Sequence, residues 1–533
     1  MDALLGLILI IAPIVLAFVM LIWFKRAADV TGVVVWLVTL VIAIAAFQTD
    51  IGVALTASAA GIVKSFPISL MVATSILMMT YMQETGSLQR LIVFFKTLGG
   101  GSRPMQVMLI SLGLGLFLVG IGATPVTMLP PVMLALGFSP LVAVALPAIG
   151  YDPLTTFALL GVPVKVFVME FGQAAGVDIS LAEAGTVFAM YMPVITTGIA
   201  ISMLWIAGGR EMLFHKESLL LAIMCGVTAG GVAIVANNPV VDQTVLTNVY
   251  AGAAVIFVLY AYTKLRGRAI IDRSTLTEAD LQIEASMSLK RASIPWTILV
   301  ILCLATTLIE PIKYLLAVQL DWVVQVGTYP TGISTKILWQ AYTLMFIATL
   351  ASLPFFRHDS ETLKRTFSTF AKRAPRPVLA AAIFFAMAEV MNFSGYTMDV
   401  SGVWASPSDP TNNMIYLLAS MTSESLGTAY PATAAFLGLL AGFISGSETS
   451  AIAMFTRYHY EASTMIGANA VVVAASNGIG GGLASVLSPA KVQNAAAVID
   501  EIGIEGEVIR YGAVVAILMT AAVAILTMLW AFV

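Results

Sequence analysis

The sequence predicts an all-α, polytopic membrane protein of about 12 to 14 transmembrane segments, with inverted repeats and broken or re-entrant helices. Three observations predict it. Of 533 residues, 59% are hydrophobic and 10% charged, against about 25% charged in an average soluble domain. Apolar runs near the length of about 20 residues that a spanning helix needs recur along the chain. Two long tracts then interrupt that pattern with glycine, proline and hydroxyl residues in a matched arrangement.

The segments follow in order. Residues 4–24 are long enough to span, and the basic pair Lys25 and Arg26 follows them, the wrong polarity for a cleaved signal peptide. By the positive-inside rule that pair places the N-terminus outside the cytoplasm. Further apolar runs lie at 31–47, 65–83, 104–120, 184–207, 218–236, 245–262, 294–316, 337–356, 377–394, 430–446 and 509–531. Basic residues concentrate in 84–103, 264–291 and 357–376, which are assigned to the cytoplasm. The connections 317–336 and 395–412 carry Asp321, Asp399 and Asp409 and fall on the opposite side. The organisation expected is an N-terminal half, 1–263, with its core at 104–176, and a C-terminal half, 294–533, with its core at 430–500. Between them 264–293 reads as a solvated cytoplasmic linker with alternating charges. Net charge is −3, with no basic surface for nucleic acid. Cys225 and Cys303 lie in apolar runs, so no disulfide framework is expected, and His215, His358 and His459 are too scattered for a metal site.

A constant offset of 326 aligns Phe117–Val166 with Phe443–Val492 without a gap, and the spacing from Gly120 to Pro163 and from Gly446 to Pro489 is 43 in both. Each copy ends an apolar run with glycine, continues through a small or hydroxyl stretch and a short amphipathic helix, and reaches a second polar break. Those second breaks are expected at Gly150–Pro153 and at Ser476–Gly480. Freed backbone amides are not tolerated against hydrocarbon, so both tracts are expected to line a cavity. If 413–429 does not cross, the second copy enters from the side opposite the first, the inverted arrangement of many secondary transporters.

Ionisable groups inside a membrane bundle are costly and are functional candidates by default. Here they are Asp152, Lys165, Glu310, Glu389, Glu448, Arg457 and Lys491. Glu448 and Asp152, one in each copy, are the candidates for ion coupling, with Ser476 and Asn477 beside them. Glu448 has an alternative role as a cap of the following helix. Lys165 and Lys491 occupy equivalent positions after Pro163 and Pro489, where they either draw an anion into the cavity or snorkel to an interface. Helix N-termini bind anions without a full positive charge, so Gly122, Thr124, Thr127, Ser447, Thr449, Ser450 and Asn477 complete the substrate-binding set. Glu389 has no partner nameable from sequence, and Glu310, before Pro311, reads as a span end.

These tracts also carry a resemblance. Phe117–Gly120 to Leu136–Pro140, Leu159–Pro163, Asn392–Gly395, Phe443–Ser450, Ala474–Gly481 and Leu487–Pro489 resemble the bacterial L-lactate permease family over most of the chain. The resemblance implies an ion-coupled carboxylate transporter, not an enzyme but an elevator-type permease, taking up lactate, glycolate and related 2-hydroxy monocarboxylates with protons. It implies no cofactor beyond the coupling ion, a homodimer, and a place in the plasma (inner) membrane. Departures mark a diverged member: Val119 stands where the family has an acid, the run Gly120–Pro125 is shorter, and Lys165, Arg457 and Lys491 are not part of the family pattern. A more anionic substrate, such as a dicarboxylate or a sulfonated hydroxy acid, is the alternative, and coupling to Na⁺ through the carbonyls of Ser476 and Asn477 stays open. Two readings come from other classes. A passive anion channel would not concentrate substrate, and an intramembrane protease would need a second aspartate motif beside Tyr151-Asp152, or a buried histidine near Ser445, neither of which the sequence offers.

Overall fold

The computed structural model describes residues 3–20, 24, 26–98, 102–123, 125–267, 271–274, 276–356, 360–499, 501 and 503–533. Lys25, Thr124 and His358 therefore lie outside the described residues. Nine helices among the described residues are long and apolar enough to cross a membrane, and ten if one bent pair is a single span. The bent pair is Ile294–Leu308 with Glu310–Gln319, turned by 88°. The run 294–316 is thus not one straight helix. Ile309 leaves the helical region and Pro311 opens the next turn, because proline starts a helix well and continues one badly. Only two short hairpins, Val323–Val324 with Ile333–Ser334 and Thr397–Met398 with Trp404–Ala405, are strands among the described residues.

Close backbone contact holds the bundle, as expected where lipid removes the hydrophobic drive between helices. Gly226 and Gly230 of the Lys216–Ala236 helix lie against the Leu181–Leu213 helix, and a Cβ on Gly230 would come within 2.6 Å of the Pro193 nitrogen. The Thr196 hydroxyl donates to the Gly226 carbonyl at 2.6 Å across the same seam. Outward faces carry Phe257, Ile517, Ile525 and Leu529, which suit hydrocarbon.

The helix Ile51–Lys64 is absent from the apolar runs read in the sequence. Its composition, rich in Ala, Gly, Ser and Thr, lowers its hydropathy. Those small residues serve packing: a Cβ on Gly61 would reach 2.5 Å from the Phe385 carbonyl of the Pro375–Asn392 helix. The first helices also pack away from their own half. Ile10, Ala17, Val35 and Phe47 share a core with Ile383–Met391 and with the helix Met414–Leu426. That last helix has 13 residues and rises roughly 20 Å, short of the ~30 Å hydrocarbon core.

The acidic connections 317–336 and 395–412 meet on one face. Trp404 donates its indole N–H to the Thr328 hydroxyl at 3.1 Å, and Tyr329, Phe393 and Trp404 stack edge to face. The linker is largely solvent-exposed and is docked at a few points. Its helix Glu278–Ser286, closed by a capping box between Thr277 and Asp280, is tied to the Ser87–Thr97 helix by Lys96–Asp280 at 2.8 Å and Arg90–Glu284 at 3.2 Å. Alternating charges that look solvated in sequence here pair with the basic connection 84–103.

Candidate functional site

Both copies break after their first glycine-terminated helix, and the two breaks are built differently. In the second copy Gly446 ends the Pro431–Ser445 helix at φ +70°, a conformation glycine adopts without cost. Ser447 then caps the next helix by accepting from the Ser450 amide at 3.4 Å. Capping therefore falls to Ser447, which leaves the Glu448 carboxylate free to turn elsewhere. The helix that follows, Glu448–Ile466, has 19 residues and is not the short element expected.

In the first copy Pro140–Gly150 gives way to a 3₁₀ segment, Asp152–Phe157. The chain then passes through three left-handed residues, Leu159, Leu160 and Gly161, at φ +52°, +58° and +73°. Two consecutive leucines there are strained by roughly 1–2 kcal/mol each. The strain directs the 3₁₀ segment toward the second copy, where Thr156 donates its hydroxyl to Glu448 Oε1 at 2.6 Å.

Around that bond a cluster assembles from both copies. Glu448 and Asp152 are buried. The Asp152 carboxyl faces the Ser485 hydroxyl, the Val486 amide and the Lys491 ammonium, and the charges of Lys491 and Asp152 also act on Glu448. Lys491 donates to Ser485 Oγ at 3.1 Å and lies 5.9 Å from the Tyr151 ring centre. Two carboxyl oxygens, Asp152 Oδ1 and Glu448 Oε2, are buried without a hydrogen bond among the described residues. Buried carboxylate oxygens left unpaired are costly, which suits groups that exchange a proton or meet a ligand. Room for the second oxygen comes from Gly482, whose added Cβ would stand 2.5 Å from Glu448 Oε2 and 3.2 Å from Thr155 Cβ. Gly482→Ala is therefore expected to displace the Glu448 side chain and lower transport by at least about tenfold, the cost of one disturbed charge-assisted hydrogen bond, with thermal stability measured alongside to separate the effect from misfolding.

The remaining predicted residues are placed as follows. The second break expected at Ser476–Gly480 does not occur: Ala470–Leu483 is continuous helix, and the chain turns at Ala484–Ser488 instead. Glycines there serve contact, since Gly438, Gly442 and Gly480 press the two helices together until a Cβ would strike the opposing carbonyls of Asn477, Gly481 and Ala435. Ser476 spends its hydroxyl on Val473 O at 2.7 Å, and Asn477 donates to Ala451 O at 3.1 Å. Thr449 and Ser450 are buried in the first turn of the Glu448–Ile466 helix. Gly122, at φ +85°, lies against Met71 and Met345, and its carbonyl accepts from Ser75 at 2.9 Å. Thr127 lies in the Pro125–Met128 helix, but its side chain, like all of Thr124, is outside the described residues.

Lys165 and Lys491, equivalent in the sequence repeat, part company. Lys165 stands 4.2 Å from the Trp339 ring centre, a cation–π contact, and lines a separate cavity of about 10 Å³ with Thr306 and Thr307. Glu310 is exposed and pairs with Lys313 at 3.2 Å. Arg457 donates to Asn392 O at 3.1 Å. His459 is buried, with its Nδ1 2.6 Å from the Tyr430 hydroxyl.

Sequence reasoning missed Thr155, Thr156 and Ser485, hydroxyls without a charge to mark them. It also missed Lys64 and Glu170, the partners of Glu389. Glu170 carried a usable signal, an acid inside the apolar stretch Val166–Phe171.

The comparisons agree on a single family. The sequence profile described as L-lactate permease matches residues 6–533. The L-lactate permease of Escherichia coli (strain K12) is 22% identical over 462 residues, which is 80% of this chain and 78% of that protein. The glycolate permease GlcA of the same strain is 23% identical over 566 aligned positions, 98% of this chain and 95% of its own. The L-lactate permease of Bacillus subtilis is 22% identical, covering 96% and 93%. Among solved structures, MtrF of Neisseria gonorrhoeae, described with antimetabolite efflux pumps, aligns at 12% identity over 90% of this chain and 84% of its own, with a TM-score of 0.44; nothing is argued from that likeness. With many apolar helices and a match across nearly its whole length, this chain belongs to the L-lactate permease family, as a multi-pass membrane transporter and not an enzyme.

Proposed function

We propose that this protein is a proton-coupled importer of small 2-hydroxy monocarboxylates of the lactate and glycolate type. It works in the plasma membrane with its N-terminus outside the cytoplasm. The observation that carries the reading is the charge of the Asp152, Glu448 and Lys491 cluster. With both acids ionised the cluster sums to −1 and repels an anion; one proton brings it to 0, and a second to +1. Proton uptake therefore precedes or accompanies anion binding, and release of the proton drives the anion off. Lys491, Thr155, Thr156 and Ser485 supply donors for the substrate carboxylate and hydroxyl.

A proton suits this site better than Na⁺. The carbonyls of Ser476 and Asn477 lie within the Ala470–Leu483 helix, so they are engaged in helix bonds instead of being freed for a cation. The two breaks, meeting through Thr156 and Glu448, form the core that moves in an elevator-like cycle, and the helices packed around it form the frame, in a homodimer. One observation favours a more anionic substrate: Lys165 adds a half-buried cation on the Trp339 side of the core.

The test is uptake of labelled lactate into proteoliposomes under competition. Glycolate and lactate are expected to compete, whereas malate and a sulfonated hydroxy acid are expected not to. Competition by the doubly charged anions alone would overturn the monocarboxylate reading.

A further inference from the structure

A second buried cluster of the same composition, one lysine and two carboxylates, sits at the far end of the helix that the first break begins. Glu170 and Gln173 lie in Ala158–Ala175, the helix that follows the 3₁₀ segment of Thr156. Lys64, the last residue of Ile51–Lys64, stands 2.7 Å from Glu389 Oε1 and 3.6 Å from Glu170 Oε2. It also donates to Gln173. All three charged groups are buried.

The two acids are treated unequally. Glu389 accepts from Lys64, from the Tyr329 hydroxyl at 2.6 Å and, at 3.5 Å, from Asn392. Gln173 holds the Tyr329 oxygen in turn at 3.0 Å. Three donors thus converge on Glu389. Glu170 has the longer contact to Lys64, and the other charges acting on it are Glu389 of Pro375–Asn392 and, from the Glu448–Ile466 helix, Arg457, whose guanidinium is committed to Asn392 O. With both acids ionised, one ammonium faces two carboxylates in a site screened from water. An unbalanced buried charge is expensive, and a carboxyl group escapes it by taking a proton.

We propose that Glu170 is a proton-binding residue in addition to the acids of the Lys491 cluster, and that its protonation state sets how firmly Ala158–Ala175 is tied to Ile51–Lys64 and Pro375–Asn392. Protonated, Glu170 leaves a neutral Lys64–Glu389 pair and a loosened joint. Ionised, it competes for Lys64 and draws the three helices together. The stretch Asp152–Ala175 thus joins two proton-responsive groups: Asp152, in the 3₁₀ segment at the proposed anion site, and Glu170, in the helix that meets Ile51–Lys64 and Pro375–Asn392. The consequence for transport rests on the function proposed above; the proton site does not.

The experiment is infrared difference spectroscopy between acid and alkaline pH on the full-length protein in liposomes, reading the protonated-carboxyl stretch. The native protein is expected to show a titrating buried-carboxyl signal that loses one carboxyl's share in Glu170→Gln and keeps that share in Glu448→Gln. Lys64→Met, which removes the cation, is expected to move the titration to higher pH. If Glu170→Gln does not fold, Glu170→Asp serves, with a shifted band expected. A signal identical in native, Glu170 variant and Lys64→Met proteins would overturn the proposal. In protein that transports lactate, Glu170→Gln should also flatten the pH dependence of net uptake while lactate exchange continues. Absence of lactate transport in the native protein would refute the proposed function and leave the infrared result standing.

Discussion

Glu448→Gln is expected to abolish proton-driven accumulation while leaving exchange of substrate across the membrane measurable. The glutamine keeps the acceptor for Thr156, whose hydroxyl lies 2.6 Å from the native carboxylate, so the helix start and the packing against Gly482 survive. What disappears is the exchangeable proton. The cluster then no longer reaches −1: with Asp152 ionised against Lys491 it sums to 0, the charge of the native site with one proton, and Asp152 is the one acid left in it. An anion can still bind, but nothing makes binding on one side stronger than on the other. Net uptake driven by a proton gradient should fall by roughly ten- to hundredfold, the range expected when an interaction of a charged group is lost. Counterflow of labelled against unlabelled lactate reads the remaining exchange. Native accumulation with native pH dependence in this variant would remove Glu448 from the mechanism.

Lys491→Met should act on affinity more than on coupling. Lys491 donates to Ser485 at 3.1 Å and is the cation whose charge reaches both Asp152 and Glu448. Without it the two acids share a site with no positive charge beside them. The substrate carboxylate then loses its charge-assisted donor, an interaction of about 1.5–3 kcal/mol. The apparent KM for lactate should rise roughly ten- to hundredfold, and Lys491→Arg should recover part of the loss. An unchanged KM would assign Lys491 to a structural role. The same substitution at Lys165 should change KM much less, because that lysine lies over Trp339 in a separate cavity.

Hydropathy made the bundle legible and spacing made part of the site legible. The apolar runs located most long helices, because hydrocarbon demands continuous apolar faces. It passed over Ile51–Lys64, whose small residues serve backbone contact and so register as weakly hydrophobic. Gly446 and Asp152–Pro153 mark true breaks, where glycine and proline change the backbone. The glycines at 478, 480 and 481 looked the same in sequence and instead sit in an unbroken helix pressed on its neighbour. Composition alone does not separate those two uses of glycine; the partner helix decides. Glu448 and Asp152 were legible as buried acids, and the structure brings them to one cluster. Glu389 was legible without its partners, since Lys64 and Glu170 lie 325 and 219 positions away along the chain. Lys64 itself closes a helix that hydropathy passed over, so the sequence offered no reason to place it in the membrane.

The proposed cycle has protons, not sodium, charging the Asp152–Glu448–Lys491 cluster. It is tested most directly by labelled lactate uptake into proteoliposomes with a proton gradient and a Na⁺ gradient imposed separately. Concentrative uptake under the proton gradient alone is the expected result. Uptake driven by the Na⁺ gradient alone, or no lactate uptake under either gradient in folded protein, would contradict it.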